Sequence, residues 1–184
     1  GPKIFVRGEG CYLWDARGRR YLDTFASLLT TVCGHHRPEV DRAIREQIER
    51  LEFFPNYVDT YTVPLIELAR KIAELMPGGL EVSFFVNSGS EANETALKMA
   101  RQYHWERGER GRAKVLFRRF SYHGTTLGGV SATGLPWFRE YFDPLLIRQC
   151  IPVPSARCAA CELGLLPGSC ALACLDEVER QIRW

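Results

Sequence analysis

No apolar run in this chain is long enough to span a bilayer, so a membrane-spanning helix is not expected. No charged-then-apolar leader stands at its start, and no internal repeat or low-complexity tract interrupts it. Surplus charge is missing too. Against 22 Asp and Glu there are 24 Lys and Arg, and a formal +2 makes no electrostatic case for nucleic acid or an anionic membrane. Lysine itself is scarce: Lys3, Lys71, Lys98 and Lys114 are the four candidates for any chemistry that needs a lysine amine. What is present is ordinary for a globular chain. Apolar residues make up 46% and charged residues 25%, as in soluble domains, and 184 residues suffice for one good-sized domain or part of a larger one. Seven cysteines, an odd number without a leader, fit a reducing compartment better than a disulfide scaffold, and the cytoplasm is the expected location. The chain opens Gly-Pro rather than with Met, so its first residue is not expected to be the native one.

The stretch richest in chemistry runs from Phe84 to Glu94, Phe-Phe-Val-Asn-Ser-Gly-Ser-Glu-Ala-Asn-Glu. The apolar run from Val82 to Val86 reads as a strand ending in a small polar turn. A helical pattern follows at once, with Ala92, Ala96, Met99, Ala100 and Tyr103 on one face. Ser88 or Ser90 stands where an N-cap belongs, and Glu91 and Glu94 place negative charge in the first turn. A strand that turns through Ser-Gly-Ser into a helix aims free N–H groups and two hydroxyls at one spot, which is a cradle for phosphate. On those few residues alone, a plain capped turn is the commoner outcome. A serine-hydrolase elbow is disfavoured, because neither Ser88 nor Ser90 has the glycines of Gly-x-Ser-x-Gly around it.

Phe85-Val-Asn-Ser-Gly-Ser-Glu-Ala-Asn-Glu-Thr-Ala-Leu-Lys-Met-Ala-Arg101 resembles the phosphate-cup segment of the class III (omega) aminotransferases, which are pyridoxal 5'-phosphate (PLP) enzymes of fold type I. The resemblance implies an α/β fold: an N-terminal segment over residues 1–62, then a truncated first part of the PLP-binding large-domain sheet over 63–184. It also implies that Ser88, Gly89 and Ser90 hold the cofactor phosphate.

Upstream, Asp15-Ala-Arg-Gly18 has hairpin-turn chemistry, with Gly18 available for positive φ. The surrounding Gly10, Tyr12, Leu13, Asp15, Gly18, Tyr21, Leu22 and Asp23 are similar to the family's N-terminal hairpin at every fixed position. His35 and His36 lack ligand partners at helical spacing, so a metal site there is disfavoured, and the family histidine in this segment serves structure. Pro38 to Leu51 reads as an amphipathic helix with proline at its first position, and Pro64 to Leu75 as a second, ended by Met76-Pro77-Gly78-Gly79. The family often has a glycine near Ser27 in a segment that walls the substrate pocket. Leu28 and Leu29 are therefore candidates for substrate contact, with ordinary core packing equally open. Phe53 to Tyr57 is an aromatic loop without a basic patch, so packing fits it better than nucleic acid. By resemblance it lies near the active-site entrance and the dimer contact, which makes Tyr57 a third substrate candidate.

Downstream, Lys114 to Phe120 reads as the next strand and empties into Ser121-Tyr122-His123-Gly124. Strand, helix, strand implies a βαβ unit with a parallel sheet, and places both junctions at carboxyl ends of strands, where open α/β sheets bind ligands. The family carries Tyr-His-Gly or Phe-His-Gly here, its aromatic ring lying over the pyridine ring of PLP. Tyr122 and His123 are the matching cofactor-binding residues. Cys158, Cys161, Cys170 and Cys174 form two close pairs; zinc is one reading, but packed free thiols are preferred and no metal is assigned. A last helix is expected from Leu175 to Trp184.

The implied activity moves an amino group from an amine or omega-amino acid to a 2-oxo acid, in a homodimer with PLP. An aminomutase or racemase would share the same cup. A non-catalytic reading is a truncated or zinc-stabilised module. In the family, the Schiff-base lysine and the carboxylate on the pyridine nitrogen lie farther along the chain, and none of the four lysines here stands in a comparable context. No catalytic residue is therefore expected in this chain, and by itself it is expected not to transaminate.

Overall fold

The computed structural model describes residues 1–183. Two compact units are present, Gly1–Ser83 and Phe84–Trp184.

The first unit opens with an antiparallel meander of β1 (Phe5–Glu9), β2 (Tyr12–Asp15) and β3 (Arg20–Leu22), in that order across the sheet. Gly18 takes φ +75° in the β2–β3 turn, and its N–H donates to the Asp15 carbonyl at 2.9 Å. The side chain of Asp15, 3% exposed, organises that turn. Oδ1 accepts the N–H groups of Arg17 and Arg19 at 2.9 Å each, while Oδ2 accepts Arg19 Nε at 2.8 Å and the Tyr21 hydroxyl at 3.0 Å. Burial alone would push this carboxyl up. The hydrogen bonds from Arg19, Tyr21 and Arg17 outweigh it and hold the pKa at about 2.

After β3, the single turn α1 (Ala26–Leu29) is left-handed throughout, with φ of 46° to 66° at Ala26, Ser27, Leu28 and Leu29. Asp23 braces it by accepting the N–H and hydroxyl of Ser27 at 2.9 and 3.0 Å. The same carboxylate lies 2.8 Å from His35 Nε2, and His35 pairs its main chain with Gly10 in both directions. A Cβ on Gly8 would sit 2.9 Å from the His35 side chain, so the meander packs directly on this histidine. α2 (Pro38–Arg50) and α3 (Val63–Leu75) follow, each with proline in its first two positions. The α2 stripe of Val40, Ile44 and Ile48 is as the periodicity predicts, but all three are more than half exposed.

The second unit contains α4 (Gly89–Glu106), β4 (Val115–Arg118), α5 (Leu127–Ser131), α6 (Pro136–Arg139), β5 (Cys150–Val153) and α7 (Ala173–Arg183). β4 and β5 pair in parallel, Val115 opposite Cys150 and Arg118 opposite Val153, with α5 and α6 in the crossover. Phe117, Ala132 and Cys150 form the buried centre, with Val115 packed against them. The parallel unit is thus real but lies one step later than the sequence suggests. Residues 82–86 form no strand among the described residues, because no neighbouring strand offers them a ladder. Their apolar side chains stay open, Val82 being 96% exposed. The last helix begins two residues before Leu175 and is described to Arg183; Trp184 lies outside the described residues. No helix among these residues is long and apolar enough to cross a membrane.

Candidate cofactor site

The chain enters α4 through a tightly capped turn. Ser88 is the N-cap, with extended backbone (φ −154°, ψ 161°), and its Oγ accepts the N–H of Glu91 at 3.2 Å. The Glu91 carboxylate reaches back to the N–H of Asn87 at 2.8 Å, a reciprocal arrangement related to the capping box. Ser90, one residue into the helix from Gly89, accepts the N–H of Thr125 on its Oγ at 3.1 Å. Each serine oxygen therefore already holds a backbone proton, and each O–H is left to donate. The N–H groups of Gly89 and Ser90 have no acceptor among the described residues. A Cβ built on Gly89 meets no atom within 4 Å, so the space before the helix is open. Two free N–H groups and two oriented hydroxyls at the positive end of an 18-residue helix suit a phosphate dianion.

The second junction comes to the same place. β4 ends at Arg118, and Phe120, with φ +63°, swings the chain into Ser121–Gly124. Ser90, Asn93 and Glu94 stand at i, i+3 and i+4 on one face of α4, and each grips the main chain of this loop. Asn93 Nδ2 donates to the His123 carbonyl at 2.7 Å, Ser90 holds Thr125, and Glu94 Oε1 accepts the N–H of Gly128 at 2.7 Å. The approach is close at two glycines, and at Gly124 the backbone conformation also requires glycine. A Cβ on Gly124, where φ is +124°, would lie 2.5 Å from Ser90 Oγ, and one on Gly128 would lie 2.4 Å from Glu94 Oε2.

Tyr122 precedes this clamp. Its ring lies 5.4 Å from that of Phe138 at 63°, and the residue is 54% exposed, which leaves surface for a planar ring. His123 keeps its N–H on Thr133 Oγ1 at 3.0 Å. The structure thus ties Ser90 and its helix to the loop that carries Tyr122 and His123, with Ser88 and Gly89 directly before Ser90 in the chain.

Sequence reasoning missed the buttress behind it. Ser131 and Thr133 are fully buried, and both hydroxyls are satisfied: Ser131 donates to the Leu127 carbonyl at 2.6 Å and accepts the N–H of Ile147 at 2.9 Å, while Thr133 donates to the Gly129 carbonyl at 2.8 Å. Arg139 Nη1 gathers the carbonyls of Val130, Ser131 and Thr133 at 3.1, 2.7 and 3.0 Å. The available signal was the run of small residues from Gly128 to Gly134, which marks close backbone approach. A Cβ on Gly134 would lie 2.2 Å from the Arg118 carbonyl.

Leu28, Leu29 and Tyr57 belong to the first unit and are exposed there, at 68%, 71% and 77%. Core packing within that unit is not their role. Cys158, Cys161, Cys170 and Cys174 are free thiols lining one small cavity of about 40 Å³. Among the described residues, no three His, Cys, Asp or Glu side chains are grouped to hold a metal ion.

The class III aminotransferase family model matches residues 2–180. This chain belongs to the class III aminotransferases. The adenosylmethionine-8-amino-7-oxononanoate aminotransferase of Nitratidesulfovibrio vulgaris is 40% identical over 184 residues, 99% of this chain and 34% of that protein. Among solved structures, an (S)-enantioselective omega-transaminase from Thermomicrobium roseum superposes with a TM-score of 0.91 at 42% identity, covering 100% of this chain and 40% of that one. An amine transaminase from an uncultivated Pseudomonas species, solved in its PLP-bound form, gives 0.92 at 30% identity, with 100% and 41% covered. The fold is therefore that of the PLP-dependent fold type I transaminases, and the chain spans roughly two-fifths of their length or less.

Proposed function

We propose that the protein containing this chain is a PLP-dependent aminotransferase that moves an amino group from an amine or omega-amino acid to a 2-oxo acid. The observation that carries this reading is the Thr125–Ser90 bond, which ties the helix N-terminus to the loop that carries the half-exposed Tyr122. Gly89 and Ser90 would hold the phosphate through their N–H groups, with the hydroxyls of Ser88 and Ser90 adding two donors. Tyr122 would lie against the ring of the cofactor, and His123 supports it through both of its main-chain polar groups. Bound there, PLP supplies an electron sink that renders the substrate Cα–H acidic.

The proton on that carbon needs a base, and the two lysines of the second unit, Lys98 and Lys114, are poorly placed for it. Lys98 lies well along α4 from its N-terminus, about 1.5 Å per residue away, and Lys114 precedes β4, at the end of the strand opposite the junction. In the proposed reading the base and the carboxylate for the pyridine nitrogen come from other parts of the full-length protein, and this chain alone does not transaminate. Residues 1–62 then form an N-terminal segment and 63–184 begin the PLP-binding domain. The exposed Leu28, Leu29 and Tyr57 contact the amino substrate, and the active form is a cytoplasmic homodimer.

The test is direct. The full-length protein, purified and incubated with PLP, should bind about one cofactor per chain with visible absorbance and should convert an amine donor and pyruvate or 2-oxoglutarate into the corresponding carbonyl and amino acid. Absence of cofactor binding, or product formation that does not depend on a 2-oxo acid, would refute the reading.

A further inference from the structure

We propose that Asn93 and Thr133 are positioning residues for the Tyr122 ring, a role that rests on the cofactor reading above and extends it to two residues outside the cradle. The peptide joining Tyr122 to His123 is pinned through the His123 N–H to Thr133 Oγ1 at 3.0 Å. The next peptide, His123 to Gly124, is pinned through its carbonyl to Asn93 Nδ2 at 2.7 Å. The peptide before Tyr122 is held as well, its Ser121 carbonyl accepting the Gly134 N–H at 2.8 Å. The two planes that flank the Tyr122 Cα are thus fixed and with them the direction in which Tyr122 leaves the chain, while Asn93 fixes the plane that follows.

The two anchors belong to a closed circuit. Asn93 stands one turn from Ser90 on α4, so the part of the helix that forms the cradle also holds the loop. Thr133 is fully buried; its hydroxyl donates onward to the Gly129 carbonyl at 2.8 Å, which fixes the lone pair that meets His123. Its own carbonyl accepts from Arg139 Nη1 at 3.0 Å, and the neighbour of that arginine, Phe138, packs against the Tyr122 ring. From cradle to ring and back, each link is a hydrogen bond, an aromatic contact or a short stretch of helix. The cradle and the aromatic wall therefore move as one piece, and a ligand that uses both meets a preformed angle between them. Neither Asn93 nor Thr133 is assigned a contact with the cofactor.

The test uses the full-length protein and three variants: Thr133→Val, which keeps the shape and deletes the acceptor, Thr133→Ser, which restores it, and Asn93→Ala. Two readouts separate positioning from folding: the circular dichroism of bound PLP in its visible band, and the affinity of the PLP-free protein for inorganic phosphate by calorimetry. Thr133→Val and Asn93→Ala should each lose most of the visible circular dichroism and weaken PLP binding about tenfold, the scale of one buried hydrogen bond. Phosphate affinity should stay within about twofold of the parent protein, because the cradle donors are untouched. Thr133→Ser should recover both PLP signals. Parent-like PLP signals in both deletions, or loss of phosphate affinity in proportion to PLP affinity, overturns the positioning role. Should Thr133→Val fail to fold, Asn93→Ala decides alone. A parent protein that binds phosphate but no PLP defeats the cofactor reading itself, a result distinct from either.

Discussion

Two glycines of the same site give opposite expectations, and the contrast tests how tightly the loop is clamped on α4. At Gly124, φ is +124° and an added Cβ would lie 2.5 Å from Ser90 Oγ and 2.9 Å from Ser90 Cα. The hydroxyl can rotate away, but the Cα cannot. If the loop stays in place, Gly124→Ala meets backbone strain of about 1–3 kcal/mol and a forced contact of similar size. Should the loop lift instead, it forfeits its bonds to Ser90, Asn93 and Glu94, together about 2–4 kcal/mol at the usual net value of a hydrogen bond. Lifting therefore caps the loss, and Gly124→Ala should cost the full-length apoprotein about 2–4 kcal/mol by either route. At Gly89, no atom lies within 4 Å of the added Cβ and the backbone is helical, so Gly89→Ala should leave apoprotein stability unchanged or raise it by up to about 0.5 kcal/mol. The assay is urea unfolding of both variants without cofactor at one protein concentration, followed by PLP titration. Gly124→Ala should also weaken PLP binding, since the Tyr122 loop no longer seats. If Gly124→Ala unfolds within about 0.5 kcal/mol of the parent and binds PLP equally well, the clamp is not closed in solution and the argument fails.

Ser131→Ala should destabilise the second unit by about 1–3 kcal/mol, because it removes a fully buried hydroxyl that bridges the Leu127 carbonyl and the Ile147 N–H; retention of parent stability in denaturant would contradict that bridge. Asp15 governs acid behaviour in the first unit. Its carboxyl sits at about 2 in the folded chain against an ordinary value near 3.8, so the stability it adds is complete above that ordinary value, fades as pH falls toward 2 and is gone below it. Asp15→Asn should therefore accelerate amide exchange at Arg17 and Arg19 at neutral pH, and the difference from the parent should vanish below about pH 2. A carboxyl titrating near 4 by NMR would show that Arg19 and Tyr21 do not hold it.

The parts of the fold readable from sequence are those in which a residue acts on near neighbours. Ser88 caps α4 through an N–H three residues away, Gly18 sets its own turn, and Pro38 starts α2, so each leaves its mark in a window of a few letters. The apolar run from Val82 to Val86 failed for the opposite reason. Strand formation depends on a partner with matching register, and apolar content says nothing about whether one lies alongside. The α2 stripe shows the same gap from the other side: the period identifies the face of Val40, Ile44 and Ile48, but not what covers it.

Within the site, the residues that present donors were visible and those that hold them still were not. Ser88 and Ser90 show through spacing as capping candidates, because the chemistry of a helix N-terminus is local, while their reading as a phosphate cup came from the resemblance of the whole segment to the family. Thr133 reaches His123 across ten residues, and Arg139 acts on three carbonyls, which every residue possesses and no letter distinguishes. Their signature is indirect: a stretch in which side chains have been reduced to hydrogens, methyls and hydroxyls so that main chains can touch. Gly128 to Gly134 has that composition, and the structure shows why, since a single added carbon at Gly129 or Gly134 would crowd the main chain at Gly124 or the Arg118 carbonyl. Small residues in sequence thus mark where a second piece of backbone must arrive, and here that backbone is the segment from Arg118 to Gly124, which carries Tyr122 and His123.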